Sequence, residues 1–473
     1  MTNGFVEPGS SMKPMKHDID VYTIDGKLII QFKAFVSKKI AVDLLKNHQN
    51  AKTSFYQLEW NPLQVEGHHE LLPNQLILCF ELELKSELLS IFSQNKNIMV
   101  MGVWEPFYNN LAYVSFITLI TSRRPLHNLE NSGHECMVVM DLLRKVVKQQ
   151  TSVFPGISLV TFGTQKVLEN DVLPLSSGAT LWGLGRVIQN EFPELQCRLI
   201  DLRADIHTNE LVNFMSQNVF YGEELQLALR EGSVYFPRIK ACKIDSPDET
   251  LSEGLKKDGI YIITGGLGYL GMLLAEWLVA QGIKNILLIS RKSPSIDQLD
   301  RIKQWRASGV EITHKALDIT VEQQLQQLFE TLDHQEISVS GIFNAAGVLD
   351  DHLLTTITNE QFNHVLNPKV IGAWNLHRFS RQVDLFVNFS SAASLIGNIG
   401  KANYASANAF LDYLAHYRQQ QGLRTISINW GPWSGGGMAE MKHDFENSIE
   451  KNLFLSPHQA LDALRDILQS TCS

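Results

Sequence analysis

At 473 residues the chain exceeds one ordinary domain, and its 44% hydrophobic and 19% charged residues are those of a globular protein. A formal net charge of −9 leaves no basic footprint for nucleic acid. No apolar run approaches the ~20 residues that span a bilayer, and residues 1–17 have no apolar signal core, so they read as a flexible linker or cloning remnant of a cytoplasmic protein. Cys79, Cys136, Cys197, Cys242 and Cys472 form no CxxC and read as strand, core or tail thiols. The histidines have no metal-binding spacing, so no metal is expected.

From Asp18 to about Ile40, two β-rich runs flank Asp25-Gly26, the pattern of a hairpin with a two-residue turn. A separate system begins near Tyr56. Short apolar runs LILCF (76–80), NIMVMG (97–102), VSFITLI (114–120), ISLVTF (157–162) and CRLIDL (197–202) alternate with helical patterns such as MVVMDLLRKVVKQ. Alternation of this kind predicts an α/β fold with a mostly parallel sheet. Gly102 is followed by Val-Trp-Glu-Pro, which cannot turn tightly into a helix, so residues 51–245 read as a structural subdomain without cofactor.

After a polar linker around Ser246–Lys257, the β-α pattern restarts more strongly and continues over residues 246–473. IYIIT (260–264), NILLIS (285–290), VEITHKALDI (310–319), GIFNAAG (341–347), LFVNFSS (385–391) and TISINWG (425–431) read as strands of a doubly wound sheet. Ser456-Pro457-His458-Gln459 reads as a capped start for a last helix ending near Leu468.

The run Thr264-Gly265-Gly266-Leu267-Gly268-Tyr269-Leu270-Gly271 places GxGxxG at Gly266, Gly268 and Gly271, between a strand and a helix. In this context the first glycine is expected to make the tight turn, the second to admit a pyrophosphate and the third to pack helix on strand. The next strand ends in Ser290-Arg291-Lys292, with a guanidinium where NAD-type folds place a carboxylate. That suits a 2′-phosphate, hence NADPH. Asp318 suits either the adenine amine or a helix cap.

Reducing a ketone takes a hydride, a proton donor and groups that stabilise the developing alkoxide. Short-chain reductases commonly carry Tyr and Lys as YxxxK; here Tyr404 is followed at that spacing by Asn408. Lys369, in Asn367-Pro368-Lys369-Val370, is the candidate replacement, its ammonium expected to lower the Tyr404 pKa. Ser391, thirteen residues before Tyr404 at the end of LFVNFSS, suits a hydroxyl beside it on the substrate oxygen.

The segments TGGLGYLG, LLISRKS, FNAAGVLDD, NPKVIGAWNLH, FVNFSSAASLIGNIGKANYASANAFLDYLA and INWGPW resemble the catalytic half of the ketoreductase domain of modular type I polyketide synthases, and less closely that of animal fatty acid synthase. The run Leu-Trp182-Gly-Leu-Gly-Arg186 and LALREGSVYFPRI resemble that family's degenerate Rossmann-like structural subdomain, and residues 18–50 resemble the end of a dehydratase domain. The resemblance implies two Rossmann-like subdomains and a catalytic tetrad of Lys369, Ser391, Tyr404 and Asn408. It implies NADPH held by Thr264, Gly266, Leu267, Gly268, Tyr269, Leu270, Ser290, Arg291, Asp318, Ala345, Lys369 and Tyr404. It further implies a 3-oxoacyl chain carried by an acyl carrier protein, with neighbouring synthase domains outside the chain. Leu349-Asp350-Asp351, with Ile396 where the opposite class carries Trp, resembles the class forming D-configured (B-type) hydroxyl products. Trp433 and, beyond Gly435-Gly436-Gly437, Met438 and Ala439 are expected to lie over substrate and pantetheine as part of a mobile lid. The rivals are a redox-silent epimerising or scaffold domain, an NADPH-binding regulatory module and a fatty acid synthase ketoreductase.

Overall fold

The first patterned residues form the expected hairpin. In the computed structural model, which describes residues 15–22, 28–37, 55–64, 74–106, 111, 114–126, 129, 132–148, 154–216, 223–243, 255–380, 383–436 and 454–470, Met15–Tyr22 (β1) pairs antiparallel with Leu28–Ser37 (β2). Strand β1 begins inside the 1–17 segment read as linker, and Asp25-Gly26 lies outside the described residues. The hairpin belongs to one unit, Met1–Ser54; Phe55–Ser473 is a second.

The second unit holds two sheets. The first contains β3 (Phe55–Leu63), β4 (Gln75–Cys79), β5 (Ile98–Gly102), β6 (Phe116–Ile120), β7 (Gly156–Phe162), β8 (Arg198–Leu202), β9 (Gln226–Arg230) and β10 (Ser233–Cys242), in the order β3-β10-β9-β8-β7-β6-β4-β5. Its centre is parallel, as the alternating pattern predicts. Strands β4 and β6 are buried at every residue, which is why they read as unbroken apolar runs. Glu231 and Gly232, both at positive φ, turn β9 tightly into β10, and β10 pairs antiparallel with β3. Helices α1 (Leu82–Phe92), α2 (His134–Lys148), α3 (Ala179–Glu191) and α4 (Thr208–Met215) belong to this half. The Trp104 ring lies against Gly102, so no open phosphate turn follows β5.

The second sheet contains β11 (Ile260–Thr264), β12 (Asn285–Ser290), β13 (Glu311–Ala316), β14 (Val339–Asn344), β15 (Leu385–Ser391) and β16 (Thr425–Trp430). All pairs are parallel, in the order β13-β12-β11-β14-β15-β16. The order reverses between β11 and β14, which opens a crevice at their carboxyl ends. The helices of this half are α5 (Tyr269–Ala280), α6 (Ile296–Ala307), α7 (Glu322–His334), α8 (Asn359–Phe379), the short α9 (Ala393–Ile396), α10 (Ala402–Gln419) and α11 (Pro457–Gln469). Helix α11 starts at the expected Ser456 capping box.

Helix α10 is buried along most of its length and packs on both α3 and α8. One apolar core therefore takes Trp182, Leu184 and Ile188 from the first half and Phe362, Phe410 and Leu414 from the second. Cys79, Cys136 and Cys197 are buried thiols, pushed up to about 12 by burial; Cys472 lies outside the described residues. Among the described residues no helix is long and apolar enough to cross a membrane.

Candidate active site

A cleft of about 960 Å³ opens where the strand order reverses. It is lined by Leu267, Gly268, Tyr269 and Leu270 after β11, Ser290 and Arg291 after β12, and Asp318 and Ala345 after the next two strands. Leu349, Lys369, Ser391, Ile396, Tyr404 and Trp433 line it further along. The sequence-predicted site thus converges on one cavity, with corrections in detail.

The first concerns the glycine turn. The left-handed residue is Gly265 (φ 66°), not Gly266. Gly266 is required for another reason: a Cβ there would stand 2.8 Å from Leu288 Cβ of the adjoining strand. Neither Gly266 nor Thr264 lines the cleft. Thr264 is fully buried, its hydroxyl donating to Asn344 Oδ1 (2.9 Å) and accepting from the Ala346 amide (3.2 Å). Asn344 in turn donates to Asn388 Oδ1 (3.0 Å), and Asn388 to the Leu411 carbonyl (3.1 Å). This buried ladder fixes β11, β14, β15 and α10 relative to one another, and the sequence reading missed its two asparagines.

Gly268 is the N-cap of α5 and supplies no side-chain cap, so the first N–H groups of the helix are available to an anion. A Cβ at Gly268 would meet only the Gly265 carbonyl, at 3.1 Å, so the approach to this turn is clear. Exposed Arg291 on the rim adds a guanidinium to these donors, a set whose chemistry suits anionic phosphate groups. Ser290 donates to the Lys292 carbonyl (2.6 Å). Asp318 Oδ1 accepts from the Thr320 amide (2.9 Å) and hydroxyl (2.8 Å) in a turn before α7, whose N-cap is Val321 without a side-chain cap; the helix-cap reading is therefore corrected, and the residue borders the cleft.

Tyr404 sits in the first turn of α10 and Ser391 at the end of β15. Burial pushes the Tyr404 phenol above its ordinary value, with the Ser391 and Asn408 side chains drawing it back and the Asp351 charge opposing them. Lys369 is buried on α8, its ammonium donating to the Phe389 carbonyl at 2.8 Å and lying 6.0 Å from the Tyr404 ring centre. Burial brings the lysine down to about 8, with Asp412 opposing. The expected lowering of Tyr404 by Lys369 is therefore corrected: desolvation prevails, and the lysine is turned toward the backbone. Asn408 does not line the cleft; it donates to the Tyr404 carbonyl (2.8 Å), and its buried Oδ1 has no hydrogen-bond partner among the described residues.

Asp350 and Asp351 do not line the cleft, although Leu349 does. The Asp350 carboxylate meets His352 Nε2 at 2.8 Å, and its carbonyl accepts from Asn403 (2.7 Å). Asp351 faces Lys401 at 3.9 Å. Lys401, unremarked in the sequence reading, lines the cleft 5.8 Å from the Tyr404 ring centre. Asp412 was also missed, although its i+8 spacing from Tyr404 was legible; it accepts from Ser394 (2.6 Å), Ser427 (2.7 Å) and Asn429 (2.7 Å). Gly435 and Gly436 lie against the Tyr269 ring, whereas Gly437, Met438 and Ala439 lie outside the described residues.

The KR domain family matches residues 259–435, and the Rossmann fold domain of the polyketide synthase extender module SpnB matches residues 113–239. The ketoreductase from the first module of phoslactomycin biosynthesis in Streptomyces sp. HK803 superposes with a TM-score of 0.70 at 26% identity, covering 88% of this chain and 91% of that one. Residues 259–435 therefore match a KR domain, and the fold around them is similar to that of polyketide-synthase ketoreductases. A structure of A-type ketoreductases from a modular polyketide synthase gives a TM-score of 0.75 at 25% identity, over 88% of this chain and 90% of that one. The PKS-NRPS hybrid synthetase acdB of Aspergillus candidus is 37% identical over 295 residues, which is 60% of this chain and 12% of that protein. The chain spans less than a fifth of the length of curated relatives such as this one. KR domains of this kind are oxidoreductases that use a nicotinamide cofactor.

Proposed function

We propose that this KR domain reduces the 3-oxo group of an acyl thioester on an acyl carrier protein, with NADPH as cofactor, within a larger cytoplasmic synthase. The observation that carries the reading is the convergence of Ser391, Tyr404 and Lys369, from three different elements, on the cleft that holds the uncapped start of α5. Bound NADPH supplies the hydride. Ser391 and Tyr404 donate to the ketone oxygen, and Tyr404 gives up its phenolic proton as the alkoxide develops. Its raised pKa keeps that proton in place at neutral pH. Lys369 binds the nicotinamide ribose, and Asn408 holds the first turn of α10 with its free Oδ1 available to a proton-relaying water. A redox-silent or purely regulatory role leaves this convergence without purpose.

The lysine sets a pH dependence. Its pKa falls to about 8 in the fold, so the cation is present below about 8 and lost above. Initial rates of the free enzyme are expected to show kcat/KM for reduction level at neutral pH and falling as pH rises through about 8. A Lys369→Met variant loses that limb.

We further propose a D-configured product. The reading is supported by Leu349-Asp350-Asp351 and by Ile396, which borders the cleft where a Trp would narrow it. Chiral chromatography of the hydroxyacyl product, with NADPH and NADH compared in the same assay, tests both parts. Predominantly L product would overturn the stereochemical assignment, and equal use of NADH would overturn the role of Arg291.

A further inference from the structure

We infer that helix α3, in the half without the glycine turn, positions the proton donor and the substrate loop, with Glu191 as its principal positioning residue; the inference rests on the ketoreductase reading above. Glu191 bridges two loops. Its Oε1 accepts from the Gly400 amide and its Oε2 from the Leu354 amide, each at 2.9 Å. Gly400 lies four residues before Tyr404, and Leu354 three after Asp351. The His352 amide donates to the Gly400 carbonyl (2.8 Å), so the two loops and the carboxylate close into one unit.

The rest of α3 follows the same segment. Asn190 donates to the Ile396 carbonyl (3.0 Å), and the buried Arg186 guanidinium donates to the Ser394 carbonyl. Ser394 Oγ, whose proton goes to Asp412, lies 2.8 Å from the Ser391 carbonyl oxygen. At Gly183 the helix meets α10 so closely that a Cβ would stand 2.2 Å from the Ala405 carbonyl. Positions 183, 186 and 190 share one helical face, and each touches the stretch from Ser391 to Ala405. Apolar packing alone already joins the halves. A carboxylate accepting from one amide on each loop adds something packing cannot, because charge-assisted bonds fix both amides at a set separation. The spacing between the Leu349–Asp351 loop and Tyr404 is thereby set from the opposite subdomain.

The test compares the full chain with Glu191→Gln and Glu191→Ala. The quantities read are kcat and KM on a 3-oxoacyl thioester, product chirality, NADPH affinity, thermal melting, and amide hydrogen exchange at Leu354 and Gly400. A displacement of reacting groups predicts kcat lower by about ten- to hundred-fold, the alanine variant worse. Chiral purity is expected to erode and exchange at both amides to quicken, with NADPH affinity and melting near wild type. Unchanged kcat and chirality in an active enzyme would overturn the inference, as would parallel loss of melting temperature and NADPH binding. A wild-type chain without turnover refutes the ketoreductase reading instead. Exchange then decides the clamp alone: quickening at both amides supports it and no change overturns it.

Discussion

Tyr404→Phe is expected to lower kcat for ketone reduction by about 10²–10⁴-fold, the usual contribution of general acid catalysis. The substitution removes one oxygen and keeps the ring, whose centre is 6.0 Å from the Lys369 ammonium and 5.8 Å from that of Lys401. NADPH affinity should change little, because the turn at Gly265–Gly268 and Arg291 are untouched. Ser391 still donates to the ketone in the variant, so slow residual turnover is expected. Single-turnover measurement with NADPH in excess separates the chemical step from binding. A variant that retains the full rate would remove Tyr404 from the reaction.

Gly271→Ala is expected to damage the cofactor turn from behind. A Cβ at 271 would stand 2.3 Å from the Gly265 carbonyl oxygen and 2.6 Å from Gly266 Cα. Both obstacles are backbone, so neither can swing aside as a side chain would. Overpacking of this kind costs about 1–3 kcal/mol, and relief requires α5 to move away from the turn. If the first N–H groups of α5 hold the pyrophosphate, as proposed, NADPH affinity should fall by about tenfold or more, the equivalent of ~1.4 kcal/mol. Fluorescence titration of NADPH together with thermal melting measures both effects. Wild-type affinity in the variant would show that the turn tolerates the displacement and that the close packing at 271 is incidental.

The second sheet was legible in the sequence because buried parallel strands such as Ile260–Thr264 and Asn285–Ser290 are unbroken apolar runs ended by glycine or charge. Tyr404, Ser391 and Lys369 were legible as residue types at suggestive spacings. Which glycine turns left-handed was not, because Gly265 and Gly266 are neighbours of equal conformational freedom. Their surroundings distinguish their tasks: a Cβ at Gly266 would meet Leu288 and the Ile263 carbonyl, one at Gly265 the Ala345–Ala346 backbone. The direction of the Tyr404 shift was likewise hidden: a nearby lysine argues for lowering, whereas burial depends on how α8, α10 and β15 pack. That Asp350 and Asp351 would not line the cleft was also hidden; their carboxylates meet His352 and Lys401. Glu191 carried no motif of its own, and its partners lie 163 and 209 residues away in sequence.

The central claim is that the cleft transfers hydride from NADPH to a 3-oxoacyl thioester while Tyr404 supplies the proton. The most direct measurement follows deuterium from NADPH deuterated at the transferring position into a 3-oxoacyl thioester on its carrier protein. Mass spectrometry of the product is expected to place one deuterium at C3 of a 3-hydroxyacyl thioester, with NADPH consumed in equal amount. Unreduced thioester with NADPH intact would contradict it.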